Sequence, residues 1–99
     1  MAKAKTVKAR KPVIVRTYSA GVHFGDLVKR EEREVTLANA RRIWRWYGAN
    51  TLHEISLHGV GAGSKVSETV ESITLTEAIE IIPCTSEGAR AMEAATWTK

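Results

Sequence analysis

A single cysteine, Cys84, stands in 99 residues, which excludes an intrachain disulfide and, taken alone, a thiolate zinc site. Its simplest role is that of a small apolar residue in a core. Proline occurs twice and no apolar run approaches the roughly 20 residues that span a bilayer. The N-terminus lacks the apolar segment of a secretory signal, so a cytoplasmic location is expected. Histidine is scarce too. His53 and His58 lie five apart, a spacing that turns two residues of one helix to different faces, so with His23 they form no metal motif. G-x-S-x-G, P-loop and C-x-x-C motifs are all missing. The acids Glu68, Glu71, Glu77 and Glu80 read as solvated strand faces. No catalytic residue, cofactor or metal is assigned on these grounds, and a non-enzymatic protein is expected.

Acidic residues are missing from the first eleven positions, where Lys3, Lys5, Lys8, Arg10 and Lys11 give a charge of +5 against +4 for the whole chain. The remainder is therefore close to neutral, at −1. Divided after Arg45, the chain carries +8 before and −4 after. Such asymmetry suits an anionic ligand, and equally a subunit that docks on its own copies. MAKAKTVKARK has almost nothing to bury and reads as a disordered basic arm, residues 1–11, ahead of one domain over 12–99. A domain this small buries only a little over half of its unfolded surface, so its stability is modest or shared between subunits.

Several β-rich runs follow. PVIVRTY is β-branched and opens on a proline, which the start of a strand accepts. SAG (19–21) signals a turn into VHFGDLVKR, whose alternation is interrupted at Gly25, a mark of a bulge or a close backbone approach. The cluster KREERE is the tip of a hairpin into EVTLANARRIW. There Val35, Leu37 and Ile43 share one parity and Ala38, Ala40, Trp44 and Trp46 the other, which calls for a phase break near Asn39.

Thr51 with Glu54 three residues later forms a capping box, and Gly59 a stop, for a two-turn helix over about 52–58 with Leu52 and Ile55 inward. VGAGS (60–64) is a glycine loop, either a connector or a flap over a ligand. KVSETVESITL and EAIEIIPC supply further strands. Alanine and glutamate would allow a helix in the second, but Ile79, Ile81 and Ile82 favour strand. Thr85 or Ser86 caps a short last helix with Glu87 in its first turn, and Trp97 packs back on the domain or on a neighbour. The expected fold is therefore α+β, with a small, strongly bent, mostly antiparallel sheet of four to six short strands and two short helices.

The segment ANARRIWRWYGAN interleaves planar guanidinium forks, which suit phosphate oxygens, with aromatic faces, which stack bases. In a regular strand, Arg41 and Arg45 project to one side and Arg42, Trp44 and Trp46 to the other. One row is thereby free to bind and the other to bury. The turn TYSAGVHFG brings Tyr18, Ser19, Gly21, His23 and Phe24 as a complementary wall, with small residues that let a ligand approach the backbone. The candidate ligand site is thus Tyr18, Ser19, Gly21, His23, Phe24, Arg41, Arg42, Trp44, Arg45 and Trp46. The basic arm (Lys3, Lys5, Lys8, Arg10, Lys11) is the candidate nucleic-acid contact.

VIVRTYSAGVHFG, NARRIWRWYGA and LTEAIEIIPCT together resemble a family of small proteins of unknown function encoded by tailed phages and prophages. The likeness covers roughly residues 13–85 and leaves the arm outside. It implies origin more than mechanism. Small phage accessory proteins act by stoichiometric binding, so three roles are expected in order. The first is a homo-oligomeric counter-defence protein that sequesters an anionic, cyclic nucleotide messenger in the host cytoplasm. The second is a nucleic-acid-binding accessory protein, and the third is a structural or assembly component of the virion.

Overall fold

The computed structural model describes residues 11–95, so most of the basic arm and Trp97 lie outside the described residues. The chain forms β1 (Pro12–Thr17), β2 (Val22–Glu31), β3 (Glu34–Arg45), α1 (Leu52–His58), β4 (Lys65–Val66), β5 (Val70–Leu75), β6 (Ala78–Pro83) and α2 (Ser86–Ala94). All six strands belong to one antiparallel sheet in the order β4-β3-β2-β1-β6, with β5 also paired to β3. The sheet is bent but not closed, and the α+β architecture read from the sequence is the one found.

Local chemistry explains the joints. Gly21 takes φ 86 in the first turn, where the Thr17 amide donates to the Gly21 carbonyl at 3.0 Å. The β2–β3 hairpin turns at Glu32, whose φ is 55, within the charged cluster. Register shifts between Phe24 and Asp26, and a side-chain carbon at Gly25 would come within 3.1 Å of the Ala38 carbonyl oxygen and the Leu37 Cβ. Opposite, Asn39 adopts φ 52, a left-handed conformation that asparagine tolerates, and its Nδ2 donates to Asp26 Oδ2 at 3.1 Å. Together these two positions make the corner and switch the phase of β3.

Because of that switch, Val35, Leu37 and then Ala40 point to one face, whereas Ile43 points to the other. The first three join Val13, Val15, Leu75 and Ala78 in a cluster around which the sheet curls. Ile43 joins Ile14, Phe24 and Val66 in a second cluster, covered by Ile55 of α1 and by Ala89 and Met92 of α2. A sheet buried on both faces needs such a double supply of apolar residues.

Both helices begin as their sequences prescribe. Thr51 accepts from the Glu54 amide, and the Glu54 carboxylate accepts from the Asn50 amide at 2.7 Å. Thr85 caps α2 by accepting from the Gly88 amide at 3.0 Å. Gly59 closes α1 at φ 81. The run 65–75 divides into two strands, because the chain leaves β3 after Val66 and rejoins it at Val70, opposite Ala40. AIEIIP is strand throughout, with Glu77 just ahead of it. Its pairing with β1 outweighs the helix preference of alanine and glutamate.

Candidate ligand-binding site

Arg42 lies opposite His23 in the β2–β3 register, and both side chains share the inner face of the sheet. Trp44 follows two residues on, 58% exposed, with the Arg45 guanidinium 5.8 Å from its ring centroid, a cation–π distance. Arg42 is exposed as well. Beside them opens a cleft of 280 Å³ lined by His23, Ala40, Arg41, Arg42, Ser67, Val70 and Ile73. Ser67 is fixed there by two bonds to Arg42, accepting from its amide at 2.8 Å and donating its own amide to its carbonyl at 2.9 Å.

His23 is 1% exposed, and its Nε2 lies 2.9 Å from the Ala20 carbonyl oxygen. Burial lowers its pKa from the ordinary 6.5; the Ala20 bond opposes that shift, and the positive charge of Arg42 adds to it. The ring is therefore neutral at pH 7. Nε2 carries the proton donated to Ala20, which leaves Nδ1 as an acceptor. The cleft thus offers the Arg42 cation and a neutral acceptor in its wall, with the exposed Trp44 ring two residues along the same strand.

Other expected site residues are placed differently. Arg41 is 9% exposed on the helix side of the sheet. Its Nε donates to the Ser67 carbonyl at 2.8 Å, Nη1 to Met92 and Glu93 at 2.7 and 3.3 Å, and Nη2 to Ala95 and Val66 at 2.6 and 3.4 Å. Every N–H of the guanidinium has a carbonyl partner, so this side chain is part of the architecture. Burial lowers its pKa from 12.5. Phe24, opposite Arg41, is 2% exposed in the helix-covered cluster; it lines a separate pocket of 360 Å³ with Asn39, Arg41, Thr69 and Glu93, not the His23 cleft. Trp46 lies beyond the end of β3, where alternation stops, and packs half-buried against that same cluster, away from Trp44.

Tyr18, 79% exposed, and Ser19, whose hydroxyl donates to the Glu77 carboxylate, stay at the turn. Gly21 is exposed in that turn, one residue before Val22, which pairs with Ile43. The glycine loop is a connector around Tyr47: the Gly61 amide donates to the Tyr47 carbonyl at 2.7 Å, and the Tyr47 amide to Ser64 Oγ at 2.9 Å. Cys84 packs against the helix-covered cluster, and burial pushes its thiol up to about 11, so it is not a thiolate at neutral pH. The described residues hold no group of three or more His, Cys, Asp or Glu placed to hold a metal ion, and no helix long and apolar enough to cross a membrane.

The sequence reading missed Ser67, Val70 and Ile73 as cleft residues. No local motif marks them; they reach the cleft because the β4–β5 crossing lies alongside the β3 corner.

Fold and site together define a small α+β protein with a bent antiparallel sheet, two helices on its outer face and an arginine–tryptophan edge beside an inner cleft. The chain belongs to the family described as Domain of unknown function (DUF6948), whose model matches residues 10–92. No curated protein and no solved structure matches it.

Proposed function

We propose that this protein is a non-enzymatic binder of an anionic nucleotide, and that it serves as a phage-encoded counter-defence protein which sequesters a cyclic nucleotide messenger in the host cytoplasm. The observation that carries the binding reading is the exposure of Arg42 and Trp44 on one face of β3, with Arg42 also lining the His23 cleft. Arg42 supplies the fork for phosphate, Trp44 the stacking face, and His23 Nδ1 an acceptor for a base N–H. The phage role follows from the resemblance of the three sequence blocks.

The test is capture. Protein is mixed with cyclic dinucleotides and related messengers, washed, heat-denatured and assayed for released nucleotide. Retention and a raised melting temperature are expected. Trp44→Ala or Arg42→Ala should weaken binding by about 10- to 100-fold, the worth of one stacking or charge-assisted contact, while leaving the melting of the free protein nearly unchanged. If nothing is retained and no melting temperature moves, the reading is wrong.

The charge distribution favours a second reading, nucleic-acid binding through the arm, since residues 1–11 carry +5 and the rest of the chain −1. In that case affinity falls steeply with salt, and removal of residues 1–11 abolishes it. Unchanged binding by the truncated protein would leave the arm no role in it.

A further inference from the structure

The edges of the sheet are guarded unequally. β6 carries a register shift opposite Arg16 and Thr17, ends in Pro83, which has no N–H, and has its Ala78 amide taken up by the Arg33 carbonyl at 3.0 Å. β4 is only two residues long. Short length, bulges and proline are the devices by which exposed edges avoid pairing. β5 has none of them: six residues, Val70–Leu75, without proline, register shift or lysine.

The direction of its free groups follows from the ladder. The Leu27 amide donates to the Lys11 carbonyl at 2.8 Å, so Asp26 turns to β3, where it meets Ala38. Leu37 and Val35 therefore turn to β5, opposite Ile73 and Leu75, and the backbone groups of Ser72 and Thr74 point away from the sheet. Among the described residues no backbone bond reaches them from outside. Ile73 belongs to the edge of the inner cluster but is only half-buried, and Val70 is 49% exposed.

We propose that β5 is the seam of a symmetric homodimer, pairing antiparallel with β5 of a second copy about a twofold axis at Ile73. In this register Ser72 of each copy meets Thr74 of the other, so the outward backbone groups exchange hydrogen bonds on both sides of the axis. Ile73 faces Ile73 and extends the inner cluster across the seam. Glu71 faces Leu75 and Val70 faces Thr76, so no like charges are opposed. A second copy, rather than an unrelated strand, is indicated because the register is self-complementary. Val70 and Ile73 also line the cleft, so each copy would stand at the open side of its neighbour's cleft. The pairing rests on the backbone edge and not on the nucleotide reading.

The experiment is sedimentation velocity over a concentration series up to about 100 µM, suited to a small interface, on three full-length proteins. The wild-type chain is expected to shift from monomer to dimer. Thr74→Pro removes an N–H that no strand of the monomer uses, and a free edge tolerates proline; it is expected to stay monomeric with an unchanged circular dichroism spectrum. Ile73→Cys sits where facing Cα atoms lie about 4.5 Å apart, within disulfide reach, and is expected to give a reducible covalent dimer on mild oxidation. A wild type that stays monomeric throughout, or an Ile73→Cys protein that does not cross-link, overturns the proposal. So does a dimer that Thr74→Pro leaves intact.

Discussion

Replacing Arg41 with methionine is expected to cost about 3–4 kcal/mol, since the buried carbonyls it serves would lose their donors. For a chain of this size that corresponds to a fall in melting temperature of roughly 15–25 °C. α2 has no basic residue in its own last turn. A helix C-terminus leaves carbonyls unpaired and carries partial negative charge, and a cation there is stabilising. Arg41 supplies that cation from β3, bonding Met92, Glu93 and Ala95. It also ties the same strand to the carbonyls of Val66 and Ser67. Methionine retains the aliphatic stem and none of the donors. Arg41→Lys keeps the charge but not the planar fork and should fall between the two. Thermal denaturation of the three proteins measures this; a methionine variant melting within a few degrees of the wild type would show that the bonds contribute little.

The second large effect is expected at Gly88. In an ordinary helix interior, glycine to alanine stabilises by about 1 kcal/mol. At Gly88 the added carbon would overlap the Ser56 carbonyl oxygen and come within 2.8 Å of its carbonyl carbon. Nothing flexible stands there to give way. The contact is the end of α1 meeting the start of α2, where Thr85 donates its amide to Ser56 at 3.0 Å and its hydroxyl to Leu57 at 2.8 Å. Alanine would force the two helices apart and disturb those bonds together with the cap of α2. A loss of about 2–3 kcal/mol is expected, in the range of core overpacking. Urea titration would read it as a lower midpoint. A midpoint equal to or above that of the wild type would mean that the helices can separate at little cost.

Much of the architecture was legible because it is written in local chemistry. Gly25 and Asn39 each betrayed the corner by breaking an alternation, and Thr51, Gly59 and Thr85 marked helix ends through their capping chemistry. The two rows of the arginine–aromatic strand also keep the relation that strand geometry requires, Arg41 on one side and Arg42 with Trp44 on the other. Which row is buried was not legible. That depends on α2, about fifty residues later in the chain, coming to rest on the Arg41 side with its carbonyls unpaired. A missing base at the end of one helix is a signal only once the strand that supplies it is known. Trp46 eluded the pattern for a simpler reason: alternation holds only as far as the strand does, and β3 ends at Arg45.

The phase switch at Asn39 also bears on how the molecule comes apart. β3 gives Val35, Leu37 and Ala40 to the inner cluster and Ile43 to the helix-covered one, and β1 is divided in the same way, with Val13 and Val15 in the first and Ile14 in the second. Loss of either cluster would release these shared strands and weaken the other. The two apolar clusters are therefore expected to unfold as one cooperative unit, so that circular dichroism and tryptophan fluorescence report coincident transitions.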